Sequence, residues 1–419
     1  MINKHVLDNG LRIVYEKIPY LRSVSIGIWV GTGSRNENTT NNGISHFIEH
    51  MLFKGTRNRT AKDIAVCIDS IGGQLNAFTG KEYTCYYAKV LDTHIETAMD
   101  LLQDMFFNSV FNERDISVEK QVIIEEINMH EDTPEELVHE VLARVIWDGD
   151  PLGYTILGTR ECLERIDKEM IKGYIHDNYT CSNTVISVAG NFDENELINV
   201  IGKHFGSWKS EQSQQSNYNK VDFRAACHAR KKETEQVHMC MGFEGFEHGS
   251  DDIYPLLVIN NILGGGISSR LFQNIREEKG LVYSIYSYPS SYKNTGLFAI
   301  YAGMNPGQLK EVVRLIAEEI ENLVSKGIDE HELGKSKEQL KGNYMLGLES
   351  TNSRMNSIGK SEVLLGYVQT PEEILEKIEK VKMDDINRVL KLVFDLNKAS
   401  IAAVGTVDKD TDLKALVKC

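Results

Sequence analysis

Apolar and polar residues alternate over positions 5–15 and again over SVSIGIWVG (23–31), which predicts two neighbouring strands, the first folded about an Asn9-Gly10 turn. The polar stretch 31–42 reads as a loop. It delivers the chain to GISHFIEHMLFKGT (43–56), where the apolar spacing changes from two to that of a helix. A second helix is expected at 60–71, then a glycine turn and one or two strands over 72–91, and a helix at 94–108. The amphipathic pattern of 113–130 predicts a further helix. Pro134 is placed to open the next one, which runs to about Trp147. Helical pattern returns over 161–178, and TVISVAGNFD (184–193) reads as a strand ending in a glycine turn.

KSEQSQQSNYNK (209–220) lacks aliphatic residues and marks an inter-domain linker over 209–222. Beyond it the pattern repeats. AVGTVD (403–408) answers VAGNFD (188–193), each after an apolar strand and an upstream helix opening TPEEILEKI (370–378) or TRECLERI (159–166). HMCMGFEGFEHGS (238–250) stands where SIGIWVGTGSRNE (25–37) stood. The expected fold is therefore α+β: two homologous α/β-sandwich-like domains, 1–208 and 223–419, facing each other across a cleft.

Composition narrows the function classes. With 41% apolar and 26% charged residues among 419, and a net charge of −15, the chain reads as globular and not as a general phosphate-backbone binder, so no nucleic-acid partner is expected. Seven scattered cysteines without a C-x-x-C pair are expected to be free thiols of a reducing compartment. The chain enters a strand pattern at once, and no apolar run approaches the ~18 residues of a membrane span, so a cytoplasmic address is expected.

The chemistry concentrates in the helix at 43–56. At ~100° per residue, His46 and His50 share one face and can offer two imidazole nitrogens to one metal ion, with Glu49 beside them. This is the H-x-x-E-H order of inverted zinc proteases. A carboxylate as third ligand suits a catalytic zinc that keeps one position open for water, and Glu119, Glu125 and Glu126 are the candidates. The second half has YPLLVINNILGGG at the corresponding place and no H-x-x-E-H, so it cannot hold a metal in the same way.

HFIEHMLFKGT (46–56), GGQLNAFTGKEYTCYY (72–87), EKQVIIEEI (119–127) and SSRLFQNIREEKGLVYSIYS (268–287) together resemble the pitrilysin-type zinc metallopeptidases, especially the branch with the mitochondrial processing peptidase catalytic subunit and its bacterial relatives. The resemblance spans essentially the whole chain. It implies one zinc ion held by His46, His50 and Glu126, with Glu49 as general base and Glu119, one heptad before the ligand, orienting the metal shell. It further implies that Arg276 and Tyr283 contact the substrate and its reacting carbonyl. The strand edge at Asn76, Ala77 and Phe78 would bind an extended peptide, and Glu136 and Glu140 an arginine upstream of the cut. The implied activity is a zinc-dependent endopeptidase acting on peptides or unfolded, presequence-like segments in an enclosed chamber, as a homodimer. The alternative within the same family is a non-catalytic assembly subunit, but such subunits typically lose the motif residues that this chain keeps.

Overall fold

In the computed structural model, which describes residues 2–210, 218, 221–407, 413 and 415, eleven strands form two sheets. Most of the linker expected at 209–222 lies outside the described residues, as do Asp408 of the second repeat element and Cys419. Among the described residues no helix is long and apolar enough to cross a membrane.

The chain divides into two compact units. The first comprises Met1–Ile127, Thr155–Asn217 and Leu346–Thr370. Its sheet contains β1 (Ile2–Val6), β2 (Arg12–Lys17), β3 (Ser23–Val30), β4 (Gln74–Thr79), β5 (Thr84–Leu91) and β6 (Thr184–Gly190), in the order β1-β2-β6-β3-β5-β4. All neighbours are antiparallel except β2 beside β6. The stretch 72–91 is a hairpin of two strands, which leaves β4 at the sheet edge.

Alternation along each strand explains why both faces are covered. Ile13, Ile26 and Ile28 enter one core with Phe47, Ile48, Leu101 and Ile123. Val14, Trp29 and Val185 point the other way, onto Met355 and Ile358 of a helix at Thr351–Leu365. That helix packs closely because of two glycines. A Cβ on Gly359 would lie 2.2 Å from Trp29 Nε1, and one on Gly27 would lie 2.5 Å from Met355 Sδ. Polar ties fix it: the Thr351 and Ser25 hydroxyls are 2.9 Å apart, and Arg354 donates to Glu16 at 2.5 Å.

The second unit comprises Asn128–Tyr154, Tyr218–Met345 and Pro371–Cys419. Its strands are β7 (Cys227–Lys231), β8 (Val237–Glu244), β9 (Val282–Ser291), β10 (Gly296–Met304) and β11 (Ser400–Gly405), in the order β7-β11-β8-β10-β9 with β7 and β11 parallel. This is the first unit's order without β1, so the repeat seen in the sequence is a repeat of topology. One face packs against the helices Ile253–Leu263 and Leu309–Lys326, the other against the helix Pro134–Ile146 through Val138, Leu142 and Ile146.

Each unit thus takes one helix from the other half of the chain, and the compact units are not the contiguous segments 1–208 and 223–419. The physical reason is that both sheets are apolar on two faces, so each needs a second covering helix that local periodicity cannot assign. The single helix expected over 161–178 is also two, Arg160–Arg165 and Lys168–Asn178. Asp167 caps the second by accepting a hydrogen bond from Met170 N at 2.8 Å.

Candidate metal centre and active site

The motif helix spans Ile44–Leu52 and buries Ile44, Phe47, Ile48 and Met51, which turns His46, Glu49 and His50 to the opposite side. Its start is built without a capping side chain at the N-cap, where Gly43 sits at φ +95°. The cap comes instead from Glu37, six residues earlier and almost fully buried. Its carboxylate accepts from Gly43 N at 2.7 Å, Ser45 N at 2.9 Å and Asn42 Nδ2 at 2.9 Å. Burial pushes Glu37 up to about 7 against the pull of these donors. The signal for it in the sequence is indirect: a helix beginning Gly-Ile-Ser needs an acceptor from its approach loop.

The acidic helix Glu113–Glu131 supplies the third side chain. Glu126 Oε2 lies 3.8 Å from His46 Nε2 and 3.7 Å from His50 Nε2, and one donor atom from each of the three residues falls within 4.8 Å of the others. These separations are too long for hydrogen bonds. They match the spacing of about 3.4 Å between two ligands each ~2.1 Å from one tetrahedral ion. His46 is pushed down to about 3 by burial and by neighbouring His50, so its imidazole is neutral. Its Nδ1 is buried and finds no hydrogen-bond partner among the described residues. Two imidazoles and one carboxylate on this spacing fit zinc. Glu125 is exposed and outside the group.

Glu119, 2% exposed, lies behind His50: its Oε2 is 3.0 Å from His50 Nδ1 and its Oε1 2.5 Å from Lys54 Nζ. That contact makes Nδ1 the protonated nitrogen and leaves the Nε2 lone pair facing Glu126. Glu49 Oε2 accepts from Thr79 Oγ1 at 2.5 Å, so the last residue of β4 orients the motif carboxylate. Burial raises Glu49 and Glu126 adds to that, while the Thr79 bond and His50 oppose it. Neither Thr79 nor Lys54 is legible from spacing, since both contacts depend on how β4 and the acidic helix meet the motif helix.

On β4, Ala77 packs into the main core and Phe78 lies edge-on to Trp29 at 5.5 Å, while Asn76 Oδ1 accepts from Ala77 N at 2.9 Å. Among the described residues β4 pairs with β5 alone.

In the second unit, the carboxylates of Glu136 and Glu140 flank His130, 4.0 Å from its Nε2 and 3.7 Å from its Nδ1. Arg276 sits in a π-helical segment, Phe272–Glu278, with its guanidinium 4.7 Å from the centroid of the Phe272 ring and 5.9 Å from that of Tyr283. Tyr283 is 74% exposed. The helix Ile253–Leu263, at the place of the motif helix in the repeat, carries neither histidine nor carboxylate.

Two family models match consecutive stretches of the chain. Residues 12–160 match the family "Insulinase (Peptidase family M16)", and residues 165–340 match "Peptidase M16 inactive domain". A Bacillus subtilis protein named "Uncharacterized zinc protease YmxG" is 49% identical over 94% of this chain and 96% of its own length. A Rickettsia felis "Uncharacterized zinc protease" is 38% identical over 96% and 97%. Among solved structures, a protease from Helicobacter pylori superposes with a TM-score of 0.90 at 22% identity, covering 97% of this chain and 99% of that one, which shows a shared fold. With family matches in both halves and relatives aligned nearly end to end, the chain belongs to peptidase family M16, the insulinase family.

Proposed function

We propose that this chain is a zinc-dependent endopeptidase. The observation that carries the reading is the convergence of His46 Nε2, His50 Nε2 and a Glu126 oxygen, with Glu49 on the same helix as the two histidines. These three residues hold the zinc, with one ion per chain. When bound, the ion acts as a Lewis acid toward the scissile carbonyl and makes water acidic enough to attack near neutral pH. Glu49 is the general base. Thr79 occupies its Oε2, which leaves Oε1 to take a proton from the attacking water and return it to the leaving amine as the C–N bond breaks.

The edge of β4 supports binding of an extended peptide through backbone hydrogen bonds at Asn76, Ala77 and Phe78, a mode tolerant of side-chain identity. Substrates are accordingly peptides or unfolded segments. Glu136 and Glu140 recognise an arginine near the cut, and Arg276 and Tyr283 act on the substrate and its carbonyl oxygen. Pairing of two chains as a homodimer completes the proposal. The experiment is cleavage of a peptide series carrying Arg, Ala or Glu upstream of the bond, with cut sites read by mass spectrometry. Arg peptides are expected to be cut fastest, and all cutting to stop when zinc is removed by chelation. Equal rates across the series contradict the acidic subsite, and cleavage that survives zinc removal contradicts the metal chemistry.

A further inference from the structure

Lys54 lies two residues beyond the motif helix, and its backbone is held in place. Phe53 N and Lys54 N donate to His50 O and Met51 O at 3.2 and 3.1 Å. Two residues on, the Thr56 hydroxyl donates to the buried Asp104 carboxylate at 2.7 Å, which also receives Arg59 at 2.8 Å. From this anchored position the lysine side chain reaches Glu119, its Nζ 2.5 Å from Oε1. Oε2 of the same carboxylate faces His50 Nδ1 at 3.0 Å.

We infer that Lys54 is a positioning residue of the metal site: it fixes the Glu119 carboxylate so that Glu119 in turn fixes the ring of His50. The inference rests on the zinc reading above. A carboxylate only 2% exposed is costly to bury without a cation. Lys54 supplies that cation, so one Glu119 oxygen is committed to it and the other is held on His50. Removing the ammonium leaves Oε1 without its partner and lets the carboxylate turn off the imidazole. The His50 Nε2 lone pair then loses its fixed aim. The effect of Lys54 on the metal site passes through two intervening side chains, Glu119 and His50.

The test is the zinc dissociation constant of the full-length chain, measured by equilibrium competition with a chromogenic chelator, for wild type, Lys54→Met and Lys54→Arg. Thermal unfolding of the three metal-free proteins is measured in parallel. Loss of a group behind a ligating histidine weakens zinc binding about 10-fold or more. K54M is expected to show that loss with little change in metal-free stability, and K54R, which restores a cation, to recover most of it. If K54M does not fold, Lys54→Gln carries the same comparison. K54M binding zinc as tightly as wild type overturns the inference, as does a variant that loses metal-free stability with unchanged zinc affinity. A wild-type chain that takes up no zinc overturns the metal reading itself, and this inference falls with it.

Discussion

Three residues outside the H-x-x-E-H motif set the properties of those within it. Thr79 is one. Its hydrogen bond opposes the upward push of burial on Glu49, so Thr79→Val is expected to raise the carboxyl further. A base must be ionised to act. The acid limb of the pH profile of kcat/KM should therefore move to higher pH, with a few-fold loss at neutral pH, and an unmoved limb would contradict the assignment. Glu37 is the second. Its folded carboxyl lies at about 7, above the ordinary 4.5, so between these values the folded state holds more proton than the unfolded state. Its contribution is largest below that window and is lost as pH rises through it, at about 1.4 kcal/mol per pH unit. Denaturant unfolding from pH 5 to 7 should show this slope in wild type and lose it in Glu37→Gln, and equal slopes would refute it. Lys54 is the third. Each acts through tertiary contact, which is why His46, Glu49 and His50 are legible from an i, i+3, i+4 pattern and these three are not.

At the scale of elements, the acidic helix shows what heptad spacing can and cannot reveal. Glu119 and Glu126 share a face, and that face meets the two histidines. Periodicity alone leaves Glu125 equally available; the family resemblance points to Glu126, and the approach of the motif helix gives the physical reason. The helix Thr351–Leu365 was less legible still. Its glycine packs on a Trp29 ring that is pinned by a hydrogen bond to Ser187 at 2.8 Å. The indole cannot move aside without breaking that bond. Gly359→Ala is accordingly expected to cost about 1–3 kcal/mol of unfolding free energy, measured by denaturant titration. A neutral or stabilising alanine would mean that the helix sits farther from β3 than described.

At the scale of the molecule, the strand order repeats, yet among the described residues the group able to hold a metal lies in the first unit and the helix Ile253–Leu263 carries no histidine or carboxylate. The duplication was readable because AVGTVD and VAGNFD end equivalent strands. The reciprocal exchange of covering helices was not, since an amphipathic helix records that it needs a sheet but not which one. The central claim is that His46, His50 and Glu126 hold zinc while Glu49 moves the proton. Its most direct test compares wild type with Glu49→Gln for bound zinc and for peptide cleavage in the same preparation. One zinc per chain is expected in both proteins, with cleavage by wild type and a loss of at least about 100-fold in the variant. Cleavage by E49Q at the wild-type rate, or by a wild-type chain free of zinc, would contradict it.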